Sequence, residues 1–358
     1  MTPLPTGSTI GILGGGQLGR MLSMAASRLG LRTHTYGAGE NDPASHVSLQ
    51  HTRADFDDVD ALRAFGAGVD ALTYEWESIP VSAVEAAASG MTSPRVAPNL
   101  EALRTAQDRL VEKRFLRSCG LRTAEFSAVD SEAELRAALD AMGGAGVLKT
   151  RRDGYDGKGQ RMIREAADIA PAWDALGGVP LILESLVEFS REVSVVAARG
   201  ADGQVAPYPL TENIHRHHIL HESRAPADGD TGEAGEAARA ILGALDYVGV
   251  MGVEFFDIAK KDGEAGLLVN EIAPRVHNSG HWTMDAGCTD QFEQHIRAVA
   301  GWPLGSAEPL RAVTMTNIIG EADWVALAAD PDARVHHYGK RDARPGRKMG
   351  HVNRTAPL

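Results

Sequence analysis

Along this chain the spacing of apolar positions switches repeatedly between a period of two and a helical period. Ser8–Leu13 is a β-rich run that ends in glycine. Met21–Leu29 carries helical apolar spacing and stops at Gly30, a residue suited to a left-handed C-cap. Arg32–Tyr36 and Val69–Glu77 read as further strands, and Leu100–Leu116 as one helix with a charged face bearing Gln107, Asp108, Arg109 and Lys113. An amphipathic helix is predicted over Glu132–Ala141, followed by strands at Gly146–Thr150, Arg161–Ile163 and Pro180–Val187. Thr231–Asp246 is helical in pattern. Val248–Asp257 and Leu267–Val269 read as strands joined through a hairpin turn at Asp262-Gly263. Thr283–Ala300 is largely helical, and Val313–Ile318 is another strand. Strands interleaved with helices predict an α/β protein.

Composition narrows the class. A chain of 358 residues, 43% hydrophobic and 23% charged, is globular material with length for two or three domains. A net charge of −12 argues against a nucleic-acid binder, which needs a basic face, but leaves room for a small anionic substrate held by a local cluster of cations. Two cysteines, Cys119 and Cys288, make neither a disulfide framework nor a zinc site and point to a reducing cytoplasm. Met1–Gly7 lacks the regions of a signal peptide, and no apolar run reaches membrane-spanning length.

The candidate chemistry lies where strands end. Gly14, Gly16 and Gly19 follow the first strand and open a helix, so their N–H groups can receive a phosphate at a positive helix N-terminus. A merely tight βα turn satisfies the same pattern. A nicotinamide dinucleotide would also want an acidic residue closing the second strand, where Tyr36-Gly37 stands instead. Glu75 and Glu77 share one face of the Val69–Glu77 strand and suit a ribose or an amine, or a solvated strand end. Lys149 ends a strand beside the glycine loop Gly154–Gln160, an arrangement that neutralises nucleotide phosphates, although a plain glycine hairpin has the same look. The histidine-rich run Thr211–His221 reads as a polar sheet surface or a phosphate contact better than as a zinc site. Asn270-Glu271 is expected at the end of its strand, with Arg275, His277, Asn278, Ser279 and His281 on the loop beyond Pro274. Glu254 and Glu271 can face each other across adjacent strands, where two carboxylates repel unless a cation such as Mg²⁺, or Mn²⁺ in its place, lies between them. The basic tail from Lys340 to His351 is expected to fold back over an anion.

In chain order, Lys149, the Gly154–Gln160 loop, Glu184–Val187, Glu192, Glu254 and Asn270-Glu271 resemble the ATP-grasp ligases. More narrowly, the Gly14–Arg20 turn, Tyr74–Glu77, Gln107–Arg109, Gly154–Gln160, Asn270–His281 and Arg347–His351 are similar to the N5-carboxyaminoimidazole ribonucleotide synthetases of purine biosynthesis. The match runs from Ile10 to about Asn353. The resemblance implies an ATP-grasp fold in four parts: a Rossmann-like domain over 1–105, a linker helix and mobile α+β lid over 106–190, a catalytic subdomain over 191–310, and a C-terminal appendage over 311–358.

It further implies that ATP contacts Arg109, Lys149, the loop residues Gly154, Tyr155, Asp156, Gly157, Lys158, Gly159 and Gln160, the hinge Glu184, Ser185, Leu186 and Val187, then Glu192, His215, Asn270 and Glu271. The metal falls to Glu254, Glu271 and Asn270. The ribonucleotide falls to Gly16, Gln17, Leu18, Glu75, Glu77, Arg275, His277, Asn278, Ser279, Lys340, Arg347 and Lys348. Tyr155, Asp156, Lys158, Arg275 and Lys348 are the expected catalytic groups. The implied reaction joins bicarbonate to 5-aminoimidazole ribonucleotide with ATP, in a homodimer free of nucleic acid and membrane. Another acceptor for an ATP-grasp ligase, or a nicotinamide-dependent oxidoreductase, are the competing readings.

Overall fold

The computed structural model describes residues 2–154, 158–229, 231–261 and 264–358, so Tyr155, Asp156, Gly157 and the expected turn at Asp262-Gly263 lie outside the described residues. Four parallel strands, β1 (Thr9–Leu13), β2 (Arg32–Gly37), β3 (Gln50–Arg53) and β4 (Ala71–Tyr74), form a sheet in the order β3-β2-β1-β4. The strand order reverses between β1 and β4. Their carboxyl ends carry the glycine turn and Glu75–Glu77, which is where open parallel sheets gather ligands. The helix Gln17–Arg28 begins four residues before the predicted Met21, because its first turn rises straight out of the glycine turn. Strand β4 is shorter than the predicted Val69–Glu77; past Tyr74 a single bond, Glu75 N to Leu13 O at 3.1 Å, continues the ladder.

A second, antiparallel sheet is made of β5 (Phe126–Val129), β6 (Gly146–Thr150), β7 (Gln160–Ile163) and β8 (Leu181–Ser185), ordered β5-β8-β6-β7. The helices Glu132–Ala141 and Ile169–Leu176 cover it, and Val129, Leu135, Leu139, Leu148, Ile163 and Leu181 give it a core of its own.

The third sheet holds the rest: β9 (Arg191–Arg199), β10 (Val205–Pro207), β11 (Thr211–Arg216), β12 (Ile219–Ala225), β13 (Gly249–Lys261), β14 (Glu264–Ala273), β15 (Ala312–Ile319), β16 (Ala333–His337) and β17 (Lys348–Ala356). Its order is β14-β13-β9-β11-β12-β15-β17-β16, with β10 beside β9. The C-terminal strands therefore extend the same sheet through the β12–β15 pairing, which brings Lys348, at the start of β17, to the central sheet. Among the described residues no helix is long and apolar enough to cross a membrane.

Two predicted helices are each divided by an aspartate. Leu100–Leu116 is two helices, Leu100–Ala106 and Arg109–Ser118, because the Asp108 carboxylate caps the second by accepting from the N–H groups of Leu110 and Val111. Thr283–Ala300 is a 3₁₀ stretch, Asn278–Asp285, followed by the helix Gln291–Ala300, which Asp290 caps in the same way. Apolar periodicity carries across such breaks and does not report them.

The helix Gln291–Ala300 lies between the first and third sheets. Its Phe292, Ile296 and Val299 share one core with Ile10, Ile12 and Leu22 on one side and Val196 and Val250 on the other. Within that core His295 is fully buried; its Nε2 bonds the Thr73 hydroxyl at 2.8 Å, and its Nδ1 accepts from Val250 N at 3.1 Å. Burial lowers the His295 pKa from 6.5 to about 4. The unfolded chain thus takes up a proton below pH 6.5 that the folded state refuses, so stability is full above 6.5 and falls as pH drops towards 4. The loss from this residue alone is about 3 kcal/mol. Urea unfolding at pH 7 and pH 5 should show a shallower acid loss in His295→Gln, which cannot titrate; equal slopes would mean that the imidazole is not held neutral.

Candidate active site

Strands β13 and β14 pair so that Glu254 and Glu271 are direct cross-strand partners. Immediately beyond, Phe255 pairs with Val269, leaving Asn270 as the extra residue of a bulge. Bulges re-aim side chains, and here the bulge falls at Asn270, one of the three residues expected at a metal and the neighbour of a second. Asn270-Glu271 therefore lies within β14, two residues short of its end at Ala273, and not at the strand's end as predicted. Burial, and then the adjacent Glu271, push the Glu254 carboxyl well above the usual carboxylate range. Glu254 Oε1 is 3.3 Å from His277 Nε2, and burial together with Arg275 and Lys348 lowers His277 to about 3, so this imidazole is neutral.

β14 is the edge strand, and the helix Arg109–Ser118 lies against it. Lys113 Nζ donates to Asn270 O at 2.6 Å, and Ile272 N donates to Glu112 Oε1 at 2.6 Å. Arg109 donates to Glu271 Oε2 at 3.2 Å and to Gly154 O at 2.9 Å, linking β14 to the glycine loop. Sequence reading missed Glu112 and gave Lys113 to a charged helix face. Their spacing from Arg109, i+3 and i+4, does put all three on one side of the helix, and that was the available signal.

On the lid side, Lys149 and Lys113 both reach Glu184 Oε2, at 3.1 and 3.3 Å. Burial pushes the Glu184 carboxyl up, but Lys149 and Lys113 outweigh it and hold it at about 2. The Glu184 side chain thus turns inward to the lysines, and its Oε1 is buried with no hydrogen-bond partner among the described residues. Ser185, Leu186 and Val187 continue to the surface, where they line a cleft of about 730 Å³ whose far wall includes Ile258 and Leu268. Phe189 stacks on Phe256 at 4.7 Å between ring centres nearby. Glu192 and His215, neighbours on β9 and β11, form an ion pair at 2.6 Å. Burial disfavours the charged His215 ring, but Glu192 outweighs it and raises the pKa. Lys158 and Gly159 re-enter the described chain ahead of β7, Gln160 is that strand's first residue, and Gly159 O accepts from Thr150 N at 2.8 Å.

On the first-domain side, the glycine turn already holds an anion. The Glu75 carboxylate accepts from Gly16 N and, at 2.6 Å, from Gly19 N. A Cβ at Gly14 or Gly16 would run into Glu75, so these positions are glycine to admit a side chain of the protein itself. The donors expected to receive a phosphate are taken, which removes the nicotinamide reading's main support. Burial raises the Glu75 pKa against those two hydrogen bonds. Leu18 packs into the core, leaving only its backbone near the turn, and Gln17 is the first residue of the helix.

Glu77 forms a two-pronged ion pair with Arg275, whose Nη2 lies 2.9 Å from Oε1. Burial opposes the charge on Glu77, but Arg275 holds its pKa at about 2. Asn278 exchanges side-chain hydrogen bonds with Asn317 at 2.9 and 3.1 Å, and the buried Ser279 accepts from Ser194 at 2.7 Å. His281 is fully buried against Gln291 and His351, so it supports the loop from behind. Lys340 donates to Lys348 O at 2.8 Å; burial, with Arg347 adding repulsion, lowers its pKa to about 8, and Glu75 is the carboxylate it faces. Arg347 donates to Asp342 O at 2.6 Å, which folds the tail segment on itself.

Arg109 and Arg275 thus act on Glu271 and Lys348 on Glu254, while Lys149 lies beside Glu184 and Arg109. Such a layout can hold two anions in line across one carboxylate pair, the requirement of phosphoryl transfer.

Known proteins resemble this chain along its length. Residues 7–107 match the ribonucleotide synthetase preATP-grasp domain, 114–292 the ATP-grasp domain, and 313–357 the phosphoribosylaminoimidazole carboxylase C-terminal domain. The N5-carboxyaminoimidazole ribonucleotide synthase of Brucella melitensis biotype 1 is 49% identical over 363 residues, covering 99% of this chain and 98% of that protein. The crystal structure of N5-carboxyaminoimidazole ribonucleotide synthetase from Thermus thermophilus superposes with a TM-score of 0.89 at 43% identity, over 97% of this chain and 93% of that one. The Aspergillus clavatus N5-carboxyaminoimidazole synthase in complex with ADP and 5-aminoimidazole ribonucleotide gives a TM-score of 0.89 at 33% identity, over 98% of this chain and 94% of that one. With family models along its length and a relative this similar end to end, the chain belongs to the N5-carboxyaminoimidazole ribonucleotide synthase family of ATP-grasp ligases.

Proposed function

We infer that this chain carboxylates the exocyclic amine of 5-aminoimidazole ribonucleotide, with bicarbonate as carboxyl source and ATP converted to ADP and phosphate. The product is N5-carboxyaminoimidazole ribonucleotide, made in purine biosynthesis. The observation that carries this reading is the Glu254–Glu271 pair, with Arg109 and Arg275 acting on Glu271, Lys348 acting on Glu254, and Lys149 beyond Arg109 towards the lid. A cytoplasmic location and a homodimeric assembly belong to the same reading.

Bicarbonate is a poor electrophile, since its oxygens carry charge and hydroxide leaves badly. In the proposed sequence a bicarbonate oxygen attacks the γ-phosphorus and ADP leaves. The substrate amine then bonds to the carbon of carboxyphosphate, or of the CO₂ derived from it, with loss of phosphate and of the amine proton. Lys149 and Arg109 offset charge on the nucleotide phosphates. Ser185, Leu186 and Val187 hold the adenine through the hinge, and Glu192, oriented by His215, takes the ribose. The Gly154–Gln160 loop covers the phosphates and excludes water from a readily hydrolysed intermediate. Tyr155, Asp156 and Lys158 are the proposed groups at the bicarbonate end. Arg275, Lys340 and Arg347 take the substrate's 5′-phosphate, with Lys348 near the reacting carbon. Glu75, fixed by two backbone donors, is held where it can accept from the amine or the ribose.

The donor set fits Mg²⁺. Glu254 is buried beside a second carboxylate, so the pair lacks the positive charge it needs, and Asn270 adds a third oxygen. Such a cation, when bound, neutralises phosphate charge without drawing on a proton. Glu254, Glu271 and Asn270 would hold it.

ADP formation should depend on the ribonucleotide when ATP, Mg²⁺ and bicarbonate are supplied, and labelled bicarbonate should appear in an acid-labile product. Turnover indifferent to the ribonucleotide would leave an ATP-grasp ligase with a different acceptor. Glu271→Gln should lower that turnover by a factor of about 1,000, as expected when electrostatic organisation of a transferring phosphoryl group is lost; activity within tenfold of the original chain would remove Glu271 from the metal site. Arg275→Ala should raise KM for the ribonucleotide about 30-fold or more, the consequence of truncating one partner of a buried charge pair, with KM for ATP little changed. Initial-rate kinetics with each substrate varied in turn would separate the two constants, and a rise confined to ATP would put Arg275 on the wrong substrate.

A further inference from the structure

Lys113 is buried at 2% exposure, yet a phosphate-binding role does not account for it: its ammonium is turned away from solvent and held by the protein at two points. It donates to Asn270 O, on the edge strand that carries Glu271, and it pairs with Glu184 on the lid strand β8. Lys113 thus bonds the two strands to each other at the site. Glu184 Oε2 is shared between Lys113 and Lys149, which differ in access: the Lys149 side chain is 14% exposed and that of Lys113 only 2%.

We infer that Lys113 is a positioning residue of the nucleotide site, locking the lid strand to the metal-carrying strand and leaving Lys149 free to turn towards phosphate. This rests on the nucleotide reading given above. A carboxylate as buried as Glu184 cannot lose its only counter-ion without a large cost. Were Lys149 its sole partner, an arriving phosphate would have to compete with Glu184 for that lysine. With Lys113 fixed beneath it, Glu184 stays compensated while Lys149 moves. At the other end, the bond to Asn270 O holds the bulge from its outer side, next to the bond from Ile272 N to Glu112. The two bonds bracket Glu271 and fix which way its carboxylate points. Lys113 touches neither substrate nor metal in this account; it acts through Glu184, Lys149 and Asn270.

ADP binding to the full chain, measured by calorimetry, tests the inference alongside initial-rate kinetics. Lys113→Met keeps the length of the side chain and removes the charge. It should weaken ADP binding and raise KM for ATP by about tenfold or more, while KM for the ribonucleotide stays within about twofold. The decisive comparison is the same substitution in a Glu184→Gln background, where no buried carboxylate needs compensation. There Lys113→Met should cost at least about threefold less ADP affinity than it does with Glu184 in place. A general packing role would give equal losses in both backgrounds and would move both KM values together, and either result overturns the inference. So does ADP affinity in Lys113→Met within about twofold of the original chain. If Lys113→Met alone does not fold, the double variant decides: it must fold and bind ADP nearly as Glu184→Gln does, and failure on either count is also fatal. ADP that does not bind the original chain at all would defeat the functional reading itself, a different outcome from normal binding that Lys113→Met leaves untouched.

Discussion

Two carboxylates placed opposite each other on adjacent strands repel, and a fold that sets Glu254 against Glu271 must hold them there by other means. Much of the surrounding structure supplies those means. β13 is an interior strand gripped by β9 on its far side, so Glu254 has little freedom. Glu271 is on the edge strand, where a bare row of N–H and C=O groups would let it drift. The helix Arg109–Ser118 covers that edge: Glu112 and Lys113 take the backbone groups, and Arg109 takes the Glu271 carboxylate itself. Positive charge then reaches Glu271 from Arg109 and from Arg275. The two carboxylates stay close enough that burial and the neighbouring Glu271 push the Glu254 carboxyl up.

The helix Gln291–Ala300 performs a related service at longer range. By sharing its core with both neighbouring sheets, and through His295 bonding one to the other, it fixes the first domain against the third sheet. The ends of β1 and β4 are thereby brought to the loop after β14, and the Glu77–Arg275 pair closes the seam. Among the described residues the lid shares no such core. Its core is separate, and near the site it is tied by polar links: Arg151 to Asp108, Lys113 to Glu184, and Arg109 to Gly154 O. The first domain is thus held by a shared apolar core, while the lid meets the site through charge pairs and hydrogen bonds.

Much of this was legible in the sequence, and the failures have physical causes. Strand and helix positions followed apolar spacing, as at Glu132–Ala141 and Gly146–Thr150, where burial of one face dictates the pattern. The opposition of Glu254 and Glu271 was also readable, because a hairpin fixes register and register fixes partners. The breaks at Asp108 and Asp290 were missed because a cap changes backbone direction while apolar spacing continues. Asn270-Glu271 was placed at a strand end because polarity usually marks one; a bulge at the edge of a functional sheet is the exception. Burial of Glu112 and Lys113 was beyond the sequence, since a charged helix face looks the same whether it meets water or a strand edge.

The glycine turn shows how a motif can be read correctly and assigned wrongly. Backbone N–H groups at Gly16 and Gly19 do form an anion site at a helix N-terminus, as the spacing of glycines requires. The anion is Glu75, brought across from β4 by the strand order of the sheet, and the missing Cβ atoms are what let it in. A dinucleotide-binding protein uses the same backbone donors for a pyrophosphate. Here the donors instead fix a carboxylate, converting a phosphate cradle into a rigid acceptor at the mouth of the site. Fold ancestry and ligand choice separate at a single residue, and Glu75 is that residue.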